Sequence, residues 1–234
     1  MIVISEQRLS ESPYLEWVAH GYTAADGCAM RPAEYNWHLI FTRQAGNLRI
    51  IVVGALEEAR PLRYVAGAET LWMRFKVGTF LPYLPAPTIL NREIELPEGS
   101  GDNFWLKDKV WGVPNVDNAD TFVAHLVRAG ALAYDPLVEA ALRDDVAAVP
   151  ARTIRHHFQH RTGLRQNYIR QIKRAHRAVD LLHQGHSILD TAHDLGYADQ
   201  SHLTRSLKRF LGYTPRELVA PSVQTGVPQK SEGA

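Results

Sequence analysis

Gln200, Ser201, Thr204, Arg205 and Lys208 recur at spacings that put them on one side of a helix, and each type hydrogen-bonds to base edges or phosphate. Glutamine matches the donor and acceptor pair of adenine, arginine forks onto guanine, and serine, threonine and lysine reach bases or phosphates. A second set, Arg152, Arg155, His156 and Gln159, repeats the mixture about fifty residues earlier. The chemistry to which both sets are suited is readout of a nucleic-acid groove.

Such side chains need a rigid element behind them. Leu203, Leu207 and Phe210 lie at i, i+4 and i+7, the buried stripe of a helix expected over 200–211. Asp199 is placed to cap its free N–H groups, Gly212 followed by Pro215 closes it, and Gly196 suits a tight turn before it. Upstream, Ser187 to Asp190 resembles a capping box, and Ile188, Ala192 and Leu195 give a short helix its apolar face. Helix, glycine turn and helix make a helix-turn-helix. For the earlier set, Ile154 and Phe158 point inward and Gly163 ends the helix. Arg174-Ala175, Ala178 and Leu181-Leu182 lie on a long helix able to join the two units, with Lys173, Arg177 and Lys208 assigned to phosphate.

At this point residues 135–219 resemble the AraC/XylS type of bacterial transcription regulators. The matching residues are Phe158, Gly163, Arg174-Ala175, Ala178, Leu181-Leu182, Ile188, Ala192, Gly196-Tyr197, Asp199-Gln200-Ser201, Leu203, Arg205, Leu207-Lys208, Phe210, Gly212 and Thr214-Pro215. The resemblance implies two helix-turn-helix units joined by one long helix, double-stranded operator or promoter DNA as partner, RNA polymerase as a further partner of an activator, and in many members a homodimer. It also implies an N-terminal domain that senses a small molecule or dimerises. One departure concerns the first unit. Asp135 to Arg143 is followed by Asp144 to Pro150 with no second helix, and Pro150 stands where the family commonly has a capping serine. The first unit therefore reads as abridged, so base contacts are expected from Gln200 and Arg205 ahead of Arg152 and Arg155.

Charge divides the chain independently. Residues 150 to 218 hold 12 Lys and Arg against 5 Asp and Glu, whereas residues 1 to 149 hold 13 against 19. The basic part concentrates a phosphate-attracting field that the acidic part lacks. The expected domains are 1–130, 135–219 and a disordered polar tail at 220–234. The single cysteine, Cys28, excludes an internal disulfide framework, and without a signal or spanning segment the expected location is cytoplasmic, with no membrane partner.

The fold expected is α+β: a β-rich N-terminal domain, a small barrel or sandwich with flanking helices, followed by an all-α DNA-binding domain. Candidate strands are 14–21, 35–43, 48–54, 62–65 and 70–77, with Ala45-Gly46-Asn47 as a hairpin turn. The imperfect alternation over residues 37–41 suggests a strand covered on both faces. After Pro97 the pattern is irregular, until Phe122, Val123, Leu126 and Val127 mark a helix over 118–130.

All five tryptophans lie in this half, as an aromatic ligand pocket or ordinary core packing would require. Trp37, Trp72 and Arg74 are the candidate effector residues. No cofactor or metal is expected: His20, His38 and His125 are the only histidines before residue 150, and the His156 and His160 pair lacks further ligands. No catalytic residue is assigned, since no phosphate loop, nucleophile elbow or paired-carboxylate motif occurs. Two alternatives are an effector-independent architectural DNA-binding protein and a DNA-repair alkyl acceptor using Cys28. The latter would need several cysteines at zinc spacing.

Overall fold

A computed structural model describes residues 1–146 and 149–219; the tail expected at 220–234 lies outside the described residues. The strands are β1 (Ile2–Leu9), β2 (Leu15–Thr23), β3 (Gly27–Arg31), β4 (His38–Gln44), β5 (Asn47–Val53), β6 (Arg60–Tyr64), β7 (Ala68–Phe75), β8 (Thr79–Phe80), β9 (Glu93–Leu96), β10 (Asn103–Leu106), β11 (Lys109–Gly112) and β12 (Ala133–Tyr134). The helices are α1 (Ala86–Ile89), α2 (Ala119–Arg128), α3 (Pro136–Leu142), α4 (Ala151–Thr162), α5 (Gln166–His183), α6 (Ile188–Asp194), α7 (Gln200–Leu211) and α8 (Pro215–Leu218). The molecule is thus a β-rich N-terminal region followed by helices. No helix among the described residues is long and apolar enough to cross a membrane.

The N-terminal region is built on a six-stranded antiparallel sheet in the order β1-β2-β7-β4-β5-β9. Residues opposite each other in such a ladder point to the same face, so the register sorts the side chains. Leu39 pairs with Met73 and Phe41 with Leu71, and Trp37 stacks on Phe75 at 3.9 Å between ring centres. These residues form the main core, closed by Phe122, Val123 and Leu126 of α2. The opposite face carries His38, Ile40, Trp72 and Arg74, with Trp17 and Ala19 opposite Arg74 and Trp72. The paired strands β3 and β6 lie toward this second face, where Leu62 and Arg31 share a cavity with Trp72 and His38. Coverage on both sides explains why the hydrophobic alternation through 37–41 is blurred.

The hairpin between β4 and β5 turns on two residues, since Gln44 already pairs with Asn47. Ala45 and Gly46 both have positive φ, 49° and 84°, the twist a two-residue hairpin needs. Several elements departed from the sequence expectation, the short β8, β12 and α1 among them. β1, β3 and β9 lie where no strand was expected, and the stretch after Pro97 contains the β10–β11 hairpin, turned at Lys107 with φ 53°. β1 is a sheet edge whose alternation is diluted by Ser5, Glu6 and Gln7, as solvent-facing edges permit.

The helical region has its own core, centred on Ile169, Ile172, Ala175 and Ala178 of α5 and Leu203, Leu207 and Phe210 of α7. Ala33 and Ala55 from the sheet region are buried in that same cluster. Backbone hydrogen bonds cross the junction: Ala33 N–H donates to the Phe210 carbonyl (2.6 Å) and Ala59 N–H to that of Arg209 (2.9 Å). The last carbonyls of a helix lack intrahelical partners, and here two of them find N-terminal donors.

Candidate nucleic-acid interface

The second unit is assembled from local signals. Ser187 Oγ accepts from the Asp190 N–H (3.0 Å) to start α6, and Asp199 accepts from the His202 N–H (2.6 Å) to start α7. Between them Gly196 takes φ 68°, while Tyr197 N–H returns to the Ala192 carbonyl (2.8 Å). Arg174 of α5 packs its guanidinium 4.3 Å from the Tyr197 ring centre, which ties the turn to the long helix. Gly212 ends α7 at φ 83°. A Cβ there would lie 2.3 Å from the Met30 side chain of β3, so the backbone angle calls for glycine and an added Cβ would push Met30 aside.

Leu203 and Leu207 are fully buried and Phe210 nearly so, which turns Gln200, Ser201, Arg205 and Lys208 outward. Thr204 is half-buried and its hydroxyl donates to the Gln200 carbonyl (2.8 Å). Gln200, Ser201 and Arg205 have no side-chain hydrogen bond or ion pair among the described residues. Lys208 Nζ lies 3.7 Å from Glu217, an exposed pair that leaves the ammonium hydrated.

In the first unit, α3 is followed directly by α4, with no helix between them among the described residues. Pro150 at the start of α4 supplies no side-chain cap, and Gly163 ends it at φ 74°. Phe158 is buried, and Arg152, Arg155, His156 and Gln159 are exposed. The side of α4 turned inward is gripped by the rest of the chain. Arg161 lies 3.9 Å from the Phe80 ring centre and 3.3 Å from Asp135, whose carboxylate also meets His157 at 2.5 Å. The His156 and His160 rings meet at a 45° tilt, 4.1 Å between centres, and the described residues contain no group of three or more His, Cys, Asp or Glu that could hold a metal ion.

The long helix α5 treats its two assigned cations differently. Arg177 is exposed and unpaired among the described residues. Lys173 stands 5.4 Å from the Tyr35 ring centre, and partial burial lowers its pKa, so it faces the sheet region.

The three candidate effector residues are not brought together. Trp37 belongs to the core face of the sheet, with its Nε1–H donated to the Thr79 carbonyl (2.7 Å), whereas Trp72 and Arg74 point to the other face. A one-residue offset along a strand reverses the side, which the sequence spacing did not resolve. Arg74 is moreover spoken for: it lies 3.2 Å from both Glu16 and Glu34 and donates to Asn36. Burial alone would raise the Glu34 pKa, but His38 and Arg74 outweigh it and hold the carboxyl well below the usual range. His38 donates to it at 2.6 Å as a buried imidazole whose pKa is lowered by desolvation. Cys28 is a free, exposed thiol on β3. Sequence reasoning missed the junction that fixes the end of α7, because its donors are backbone groups with no side-chain signature.

Residues 145–220 match the family described as a helix-turn-helix domain. The C-terminal part of the chain is an AraC-type helix-turn-helix domain. That domain makes the protein a DNA-binding transcription regulator. No curated protein matches the chain significantly. Among solved structures, ToxT from Vibrio cholerae O395 is similar at 9% identity over 86% of this chain and 96% of that one, with a TM-score of 0.42. The same protein bound to (E)-4-(8-methylnaphthalen-1-yl)but-3-enoic acid is similar at 9% identity over 94% and 97%, with a TM-score of 0.39. Both likenesses are distant. Within the matched residues, α6 and α7 form a helix-turn-helix with Gly196 at its turn.

Proposed function

We propose that this regulator reads operator DNA in the major groove with α7 as its principal helix and α4 as its second, under the control of an effector sensed by residues 1–130. The observation that carries the reading is the pairing of a buried Leu203, Leu207 and Phe210 stripe with outward Gln200, Ser201 and Arg205 that have no protein partner among the described residues. Unpaired guanidinium and amide groups on a rigid, capped helix retain their full capacity for base edges. Thr204 joins them at the helix start, and Arg152, Arg155, His156 and Gln159 contribute from α4. Arg177 and Lys208 neutralise phosphate, with Lys173 contributing less because it stands against Tyr35.

Effector control is supported by the junction. Met30 packs at Gly212, the end of α7, and Ala86 of α1 packs at Gly163, the end of α4, where a Cβ would lie 3.2 Å from the Ala86 carbonyl oxygen. A change in the sheet region thus bears on the end of each reading helix. Dimerisation and contact with RNA polymerase would place the domain at a promoter.

The deciding experiment is quantitative footprinting on the selected operator with Arg205→Ala and Arg155→Ala. Arg205→Ala is expected to weaken specific binding by about 1–3 kcal/mol and relax one base position. Arg155→Ala should cost less than about 1 kcal/mol. Unchanged affinity and selectivity in Arg205→Ala would remove α7 from base readout. Equal affinity of the unaltered protein for any duplex, with a steep salt slope, would favour the architectural reading instead.

A further inference from the structure

A second concavity in the sheet region is separate from the tryptophans and from the junction. Glu6 pairs with His20, His20 with Leu71, and Leu71 with Phe41, one rung across four strands. The next rung runs from Glu69 to Arg43 to Leu48. Cross-strand partners share a face, so these side chains line one floor. Above it passes the segment Val113 to Asp117, held by Arg8, which donates to the Val116 carbonyl (Nε, 3.0 Å) and pairs with Asp120 at 2.8 Å. The cleft is open to solvent on one side and holds about 330 Å³, at the lower end of the range of small-molecule sites.

Its chemistry is uneven. Phe41, Leu48, Leu71, Val113, Pro114 and Val116 give the lining its apolar part, beside Thr70 and Asn115, and the exposed carboxylates of Glu6, Glu69 and Asp117 border it. None of those three carboxylates has a hydrogen-bond or ion-pair partner among the described residues. Arg43, the one lysine or arginine in the lining, is occupied by Asp102 at 2.5 Å, and the His20 ring is engaged by Ser5 at 3.0 Å. An apolar bed beneath unpaired carboxylates is complementary to a hydrophobic cation and repels an anion of the same shape.

We propose that this cleft is the binding site for a small organic cation, an ammonium group carried on an apolar body of two or three rings. The inference rests on the reading of residues 1–130 as the sensing part, and it replaces the Trp37, Trp72 and Arg74 assignment with a site on named rungs. The roof leads within two residues into α2, whose Phe122, Val123 and Leu126 close the main core. Occupancy therefore acts on the helix that precedes the DNA-binding domain.

The test is calorimetric titration of the full chain with 4-biphenylmethylamine and, as the anion of similar shape, biphenyl-4-acetate. The amine should bind one to one and the carboxylate at least about tenfold more weakly. Glu6→Gln combined with Glu69→Gln, both exposed positions, should weaken the amine about tenfold and narrow the preference, and Asp117→Asn should act in the same direction. Equal affinities, amine binding indifferent to these substitutions, or no binding of either probe up to about 1 mM would overturn the proposal. A gel shift on the operator with and without the amine separates the two readings. Binding of the amine with unaltered DNA affinity keeps the cleft and removes effector control at it, whereas failure of the amine to bind a protein that still recognises its operator removes the cleft alone.

Discussion

The helices α4 and α7 are equally long, end at left-handed glycines and present polar faces, yet they are held in place differently. α7 is specified by its neighbours in sequence: a capped α6, a Gly196 turn, an Asp199 cap and three fully or nearly buried apolar residues. α4 has no side-chain cap, although the preceding α3 packs against it. It is positioned by Asp135, which engages His157 and Arg161, by Phe80 beneath Arg161, and by α1 against Gly163. A helix can thus be oriented by local sequence signals or by contacts from elsewhere, and the second mode makes its posture depend on the sheet region.

The largest expected effect should level this difference. Phe158→Ala and Leu207→Ala each remove a buried side chain and should cost about 3–5 and about 2–5 kcal/mol in urea unfolding. A clearly smaller loss for Phe158 would mean that α4 resettles on the sheet region. The two terminal glycines sharpen the contrast. Gly163→Ala and Gly212→Ala should each lose about 1–2 kcal/mol from the left-handed backbone, and Gly163 should lose more, because it abuts a backbone carbonyl where Gly212 abuts the flexible Met30 side chain. The reverse order would make the Met30 contact the more rigid one.

Asp199→Ala should then cost about 1 kcal/mol as a lost cap, whereas Pro150→Ser should cost nothing or stabilise α4 by a few tenths, roughly 0.5 kcal/mol. Thermal unfolding of the pair reads this directly. A large loss on replacing Pro150 would show that its fixed φ, rather than tertiary contact, orients α4.

The smallest effect concerns pH. His38 and His176 are both lowered from the ordinary value of 6.5, first by burial. Their folded forms stay neutral while the unfolded chain takes up protons, so their contribution is complete above about pH 6.5 and declines as the pH falls toward the folded values. His176 meets the Ala33 carbonyl at 3.2 Å, and Ala33 N–H holds the end of α7. The urea midpoint should therefore drop between pH 7.5 and 5.5, and His176→Gln should flatten part of that drop. A midpoint independent of pH in this window would contradict the lowered values.

Much of the helical region was legible because its signals are local. The limits of α7, its buried stripe and its two caps follow from residues within one or two turns of each other, and the hairpin at Ala45-Gly46 is equally short-ranged. The same locality explains the gaps. β1, β3 and β9 acquire their structure from partners distant in sequence, and their mixed patterns give no periodic signal.

The sequence by itself determined the period of α7, the residues on its outer side and the concentration of basic charge in the last third of the chain. These depend on helical repeat and composition, which need no knowledge of neighbours. Only the tertiary structure decided that Trp37 and Arg74 lie on opposite faces, that Lys173 turns toward Tyr35, that the ends of α4 and α7 meet Ala86 and Met30, and that Glu6, His20, Leu71 and Phe41 share a rung. Strand register and long-range packing set those relations, and a shift of one residue in either would have reversed them.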